Sequence, residues 1–335
     1  MSAFVESMAY KGEVPWHSLG NQVTGDMTPE EMAVVAGIDW TVSKRPLMAA
    51  GGFDKDGNAD FENMIRVKDQ FAITRDSDNR VLSLAGRNYK PVQNLEAMDF
   101  FKRFTDAGHM ELETAGSLKD GQFIWALAKI GEKFNVGKKK DDIIEGYLLL
   151  MSPHLFGYSL VAQFTPIRVV CWNTLNLALG SSLRGKGDKT FRMPHSKAFN
   201  DTTKAQAEEA LGIARSQFDE FAEAATHLSS IKMNDEQVRN YFFDVLTISE
   251  EKRVEAINDG RMPANLQKFE DALIKGPGAK LASAKGTLWG ALNAVTYVAD
   301  HEMGRTRDIG LSNAWLGDSS RMKRKALDLA VKLAA

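Results

Sequence analysis

Between residues 110 and 164 the chain carries four extended apolar runs separated by turn residues, and this pattern commits it to building a β-sheet. Met110–Thr114 and Gln122–Ile130 alternate in polarity around Ser117-Leu118-Lys119-Asp120-Gly121, the pattern of a hairpin. Ile143–Met151 and Ser159–Phe164 are two further apolar runs of strand length. Upstream, Trp40–Val42, Met64–Val67, Phe71–Thr74 and Val81–Ala85 read as strands. Between the first two lie Gly51-Gly52 and the polar run Asp54-Lys55-Asp56-Gly57-Asn58, both turn chemistry. The opening segment holds Gly12, Pro15, Gly20 and Gly25 among isolated aromatics and reads as irregular.

Helices interrupt and then replace these strands. Thr28 suits an N-cap, Pro29 the first helical position, and Glu30 and Glu31 the positive end of the helix dipole, with Gly37 as the stop. Leu95–Ala107 carries Leu95, Met98, Phe101 and Phe104 at helical spacing. Arg168–Leu179 reads as a buried helix fed by the sheet, and Gly180–His195 as a Gly- and Lys/Arg-rich connection. After Lys197 the pattern shifts. Lys204–Leu228 is Ala- and Glu-rich with a stripe at Ala207, Leu211, Ala214, Phe218 and Phe221. Asn234–Leu246, Ser249–Asn258, Leu288–Met303 and Ser320–Leu333 continue as helices, broken at Gly276-Pro277-Gly278. The expected class is α+β. An α+β core spans residues 1–197, a mixed or antiparallel sheet with packed helices, followed by a largely helical region at 198–335. The two parts fold separately or pack as one unit.

With 335 residues, 44% of them hydrophobic and 26% charged, the chain can bury a core. A net charge of −2 gives no global sign of a polyanionic partner, although segregated charge is compatible with that sum. A single cysteine, Cys171, forbids an intramolecular disulfide. No basic stretch followed by an apolar run occupies Met1–Trp16, and no apolar run reaches membrane-spanning length. A cytoplasmic protein without a membrane partner is the expectation.

Tests for catalytic motifs fail. Gly180-Ser181-Ser182-Leu183-Arg184-Gly185-Lys186-Gly187 has the glycines and lysine of a phosphate loop but ends in glycine where a magnesium-binding hydroxyl is required. The six histidines, His17, His109, His154, His195, His227 and His301, are scattered along the chain. Asp300-His301-Glu302 is the one dense group, and it reads as a solvated helix end with one structural partner. Cys171, in an apolar setting, reads as a small buried hydrophobe. No enzyme activity, cofactor or metal is therefore expected. Should an active site exist, it would be built from carboxylates drawn from distant segments.

Binding residues are easier to nominate. Residues 183–197 carry five Lys/Arg against one Asp, including Arg184, Lys186, Lys189 and Arg192, with Phe191 among them. A cationic loop with an aromatic suits phosphate contacts and base stacking, or else merely solubilises a connection. Lys138, Lys139 and Lys140 form a second cluster in a turn after a strand. Pro166–Asn176 embeds Arg168, Asn173, Thr174 and Asn176 in an apolar junction, where they bridge elements internally or face a groove.

Several of these words carry a family resemblance. Gly12-Glu13-Val14-Pro15-Trp16-His17-Ser18-Leu19-Gly20, Ala36-Gly37-Ile38-Asp39-Trp40, Arg168–Leu175, Gly286–His301 and Leu316-Gly317 together resemble a phage/plasmid-like family. That family is built on an uncharacterised domain of phages, plasmids and bacteria. The order helix, hairpin, strands and helix also resembles the core of Redβ-like and Rad-type single-strand annealing proteins. Such a resemblance implies rings or filaments that lay single strands along a basic groove without cofactor chemistry. The leading expectation is a non-enzymatic protein that binds or anneals single-stranded DNA in phage or plasmid recombination or replication, acting as a homo-oligomer. The alternative is a regulatory protein engaging a host or phage replication protein without nucleic acid, with the acidic helix Lys204–Leu228 as its docking face.

Overall fold

The computed structural model describes residues 5–12, 19–108, 110–139, 141–168, 173–174, 191–195, 205, 218–303 and 318–335. In chain order these form β1 (Val5–Lys11), β2 (Asn21–Val23), α1 (Pro29–Val35), β3 (Val42–Ala49), β4 (Ile65–Arg75), β5 (Val81–Gly86), α2 (Asn94–Gly108), β6 (Glu111–Leu118), β7 (Phe123–Asn135), β8 (Ile143–Pro153), β9 (Ser159–Arg168), β10 (Asn173–Thr174) and β11 (Phe191–Pro194). The helical part follows as α3 (218–230), α4 (Asp235–Val245), α5 (Glu250–Asp259), α6 (Ala264–Lys275), α7 (Leu288–His301) and α8 (Asp318–Ala334). The class is α+β, strands first and helices after. No helix among the described residues is long and apolar enough to cross a membrane.

The β6–β7 hairpin forms where the alternating runs place it. Lys119, Asp120 and Gly121 all take positive φ (50°, 56° and 91°), which reverses the chain with the twist that antiparallel strands need. Around this hairpin grows a sheet of order β10-β9-β8-β7-β6-β1-β2, antiparallel except for β1 with β2. The outer edge of β9 is shared: β10 pairs at Ile167 and Arg168, and β11 pairs from Ser159 to Ala162. A second sheet, β3-β4-β5, stands beside it.

Strand periodicity sends alternate residues to opposite faces. Ile124, Ala126 and Ala128 of β7, Leu148 and Leu150 of β8, and Ala162 and Phe164 of β9 face the helices. There they meet Met98 and Phe101 of α2, Phe221 of α3, Phe242 of α4, Phe269 of α6 and Trp289 of α7 in one buried cluster. Residues from both 1–197 and 198–335 thus share a core. On the opposite face Phe123, Trp125, Leu149 and Met151 join Val5, Met8 and Tyr10 of β1.

Two polar nodes tie these layers. Asp142, fully buried in the β7–β8 turn, accepts from Ser283 Oγ (2.6 Å) and from Trp289 Nε1 (3.0 Å) at the start of α7. Asn94, buried at the start of α2, donates through Nδ2 to the carbonyls of Ile38 (2.9 Å) and Trp40 (3.1 Å). Those two donations fix its Oδ1 as an acceptor, here for His154 Nε2 at 2.8 Å. His154 therefore carries its proton on Nε2, and its buried Nδ1 has no hydrogen-bond partner. Its backbone accepts from Ser83 Oγ of β5 (2.6 Å) and donates to Gln122 O (2.8 Å), which joins the two sheets. Arg75 of β4 reinforces the joint. It holds Asp78 in a fork (2.9 and 2.7 Å) and reaches Glu6 of β1 at 2.6 Å.

Several elements depart from the sequence reading. The opening segment holds a strand, β1; a bulge between Val5 and Ser7 hides its alternation. Met64–Val67 and Phe71–Thr74 merge into the single strand β4. Arg168 does not open a helix: it ends β9, and Asn173 pairs back on it across an antiparallel ladder. Within the connection at 180–195, Phe191–Pro194 is a strand held by β9. The helix end at Asp300 has the one structural partner expected, Lys323 of α8 at 2.5 Å, but the pair is almost wholly buried rather than solvated. The remainder of the expected helix at 168–179, the phosphate-loop-like run 180–187 and Cys171 lie outside the described residues.

Replacing Asp142 with Ala leaves two buried donors without their charged acceptor and should cost about 3 kcal/mol, read as a lowered denaturant midpoint with an unchanged slope. Burial, with His195 nearby, pushes the His154 imidazole down from 6.5 to about 3. In that window the unfolded chain binds a proton that the folded chain refuses. Stability is full above pH 6.5 and should fall by a few kcal/mol as the pH drops towards 3. His154→Gln, which keeps the donor to Asn94 but does not titrate, should flatten that slope in denaturant melts taken between pH 6.5 and 4.

Candidate nucleic-acid interface

The turn joining β8 to β9 is anchored at one end by His154 and carries Phe156-Gly157-Tyr158 at its tip. Gly157 takes φ +87°, a conformation that a side chain would strain, and so lets the turn present both flanking rings outward. Phe156 is 65% exposed and Tyr158 47%, where most of the described aromatics are buried. Tyr158 stands edge-on to Phe123 (5.5 Å between centroids), which fixes its ring, and Lys119 lies over that Phe123 at 5.3 Å.

Facing this turn is the reversal after β5, closed by Tyr89 N donating to Gly86 O (3.2 Å). It is stitched to the end of β11 by Lys90 N to His195 O (2.6 Å) and by His195 Nδ1 against Lys90 O (3.2 Å). The Tyr89 and His195 rings stack at 4.7 Å and 20°. Burial holds the Tyr89 phenol above its ordinary range. The His195 imidazole is held below its own range, mainly by burial, with the Lys90 and Pro153 carbonyls opposing.

Between the two turns opens a cavity of about 390 Å³ lined by Arg87, Asn88, Tyr89, Phe156, Tyr158, Pro194 and His195 among others. None of its described lining residues is a carboxylate. Arg87, Lys90 and Arg192 are exposed around it. An aromatic floor, two exposed rings at the rim and cations outside are the components that hold unstacked bases and their phosphates.

The residues nominated from sequence divide among three places. Arg192 sits on β11, beside the cavity. Phe191 is half buried and its ring meets Phe100 of α2 at 5.5 Å, so it serves the core. Lys138 and Lys139 are exposed in the β7–β8 turn, at the other end of β8 from the cavity. The ladder places Arg168 and Asn173 at that same far end, opposite Ile144. Arg184, Lys186, Lys189 and Lys140 lie outside the described residues.

Sequence reasoning passed over Arg87, Tyr89, Phe156, Tyr158 and the contact of His195 with them. Two signals were available: an aromatic-Gly-aromatic run between two apolar strands, and Pro194-His195 closing the basic segment. The two histidines are 41 positions apart in sequence, and only the β8–β9–β11 pairing makes them neighbours. Distant carboxylates also converge, at Glu113 and Glu145 on the sheet. Lys129 lies between them, 4.0 and 2.8 Å away, and Tyr147 Oη donates to Glu145 (3.2 Å). Burial raises the Glu113 carboxyl, but the lysine satisfies the pair as a structural ion bridge.

Neither a curated protein nor a solved structure matches the chain. Residues 81–325 match a family model described as a domain of unknown function, DUF932. That span covers well over half of the sequence and takes in the cavity, β5 through β11 and the helical layer as far as the first half of α8. The chain belongs to the DUF932 family.

Proposed function

We propose that the protein binds single-stranded nucleic acid, with one base seated in the cavity between the β5 and β8–β9 turns. The observation that carries this reading is the exposed ring pair, Phe156 and Tyr158, at the rim of an open cavity with no carboxylate among its described lining residues. Bases stack on these rings, Tyr89 and His195 form the inner wall, and Arg87, Lys90 and Arg192 neutralise the backbone. No bond is made or broken, so the role is binding or annealing. The resemblance to a phage/plasmid-like family supports a role in recombination or replication. Lys138 and Lys139, at the far end of β8, serve as a second contact for strands long enough to cross the sheet.

Binding of a fluorescent oligothymidylate of about twenty nucleotides, at low and at physiological salt, tests the reading. Stacking contributes about 1–3 kcal/mol per base, so Phe156→Ala with Tyr158→Ala should weaken affinity at least about tenfold. Arg87→Ala should lower the slope of log affinity against log salt by about 0.7, the signature of one lost phosphate contact on a single strand. Lys138→Ala with Lys139→Ala should weaken the long strand and leave one of about four nucleotides unaffected. Absence of binding at low salt contradicts the proposal.

A further inference from the structure

Lys44 of β3 is a half-buried lysine whose partners are two carbonyls and a ring. It shares the inner face of its sheet with Val42, two residues earlier, and stands across the ladder from Ile73 of β4; both of these are buried. A lysine on such a face ordinarily pairs with a carboxylate or carries its head out to water. Lys44 does neither. Its Nζ donates to the carbonyl oxygens of Arg87 (2.5 Å) and Tyr89 (3.0 Å) and lies 4.3 Å from the centroid of the Phe71 ring. It makes no ion pair among the described residues, and burial pushes its ammonium down from the ordinary lysine range.

The two carbonyls belong to residues that line the cavity. Arg87 is exposed there, and Tyr89 is buried against His195. The ties already described act at the ends of this reversal, where Tyr89 N closes on Gly86 O and Lys90 meets His195. Lys44 acts between them. By taking the carbonyls of alternate residues it fixes the peptide planes that follow Arg87 and Tyr89, and with them the directions in which the two side chains leave the chain. Both bonds are charge-assisted, the stronger kind. Without the ammonium the turn keeps its ends but loses its middle, and Arg87 must be ordered at the moment of binding.

We infer that Lys44 is a positioning residue for the cavity, which touches no nucleic acid and acts by holding the Arg87–Tyr89 turn in the form that binds. The inference rests on the nucleic-acid reading of the cavity. It makes the second sheet part of the binding apparatus, reaching the site from behind its wall.

Binding of the same fluorescent oligothymidylate across a salt series, with folding checked by circular dichroism, tests this. Lys44→Met keeps the apolar stem and removes the donors. Affinity should fall at least about fivefold, because two side chains must then be ordered on binding. The slope of log affinity against log salt should keep its wild-type value, since no phosphate contact is lost, whereas Arg87→Ala lowers it. Lys44→Arg, which retains the charge and the donors, should restore most of the affinity, and Lys44→Gln should lie between the two. Combined with Arg87→Ala, Lys44→Met should cost less than it does alone, because its effect runs through that side chain. Wild-type affinity in Lys44→Met, a salt slope lowered as in Arg87→Ala, or full additivity of the two substitutions overturns the inference. Those outcomes leave the proposed function standing, while absence of binding by the wild-type chain removes both.

Discussion

The hydrogen bond between Asn94 Oδ1 and His154 Nε2 organises the end of the molecule on which the proposed function rests. Asn94 binds the connection from α1 to β3 with its two donors, and His154 binds β5 and the β6–β7 hairpin through its backbone. The bond therefore links both sheets and the first long helix in one small volume. The arrangement has a cost: His154 Nδ1 is buried without a partner, a penalty of about 1–3 kcal/mol. It is offset by the other hydrogen bonds of the node, which also fix the start of the turn that carries the exposed rings. Trp40, in the connection from α1 to β3, closes the node, its ring 5.5 Å from the imidazole.

A second constraint acts at the opposite end of β8. Asp142 clamps the β7–β8 turn to the start of α7, so the helical layer cannot leave the sheet without stranding a buried carboxylate. Between the two clamps, β8 is a rigid bar buried along most of its length. The bar sets a fixed distance between the aromatic cavity at one end and the lysine turn at the other.

Much of the architecture was legible in the residues because periodicity and turn chemistry are local. The α1 cap is an instance: Thr28 Oγ1 accepts from Glu31 N, and the Glu31 carboxylate accepts from Thr28 N in return. The β6–β7 hairpin and helices α2, α4, α5, α7 and α8 follow the same logic. Failures came where pairing partners are distant. Arg168 and Asn173 sit in a stretch whose apolar spacing fits a helix, but the ladder with β9 and β8 absorbs them as strand. β1 looked irregular because its alternation is broken by a bulge, and its partner, β6, lies a hundred residues on. α6, at Ala264–Lys275, went unread between clearer segments. The site was the least legible part. Phe191 looked like a stacking residue from its basic neighbours, yet the β9 edge turns it onto Phe100. His195 looked isolated until β11 brought it against Tyr89.

The place where a single strand touches the protein decides between the cavity and the rest of the surface. An oligothymidylate carrying a photoreactive uracil at one position, cross-linked to the full chain and mapped by mass spectrometry, reads that contact directly. Cross-links at Phe156, Tyr158 or His195, lost when excess unlabelled oligonucleotide competes, are the predicted result. Cross-links confined to the helical layer, or none above the level of a non-binding control protein, would contradict it.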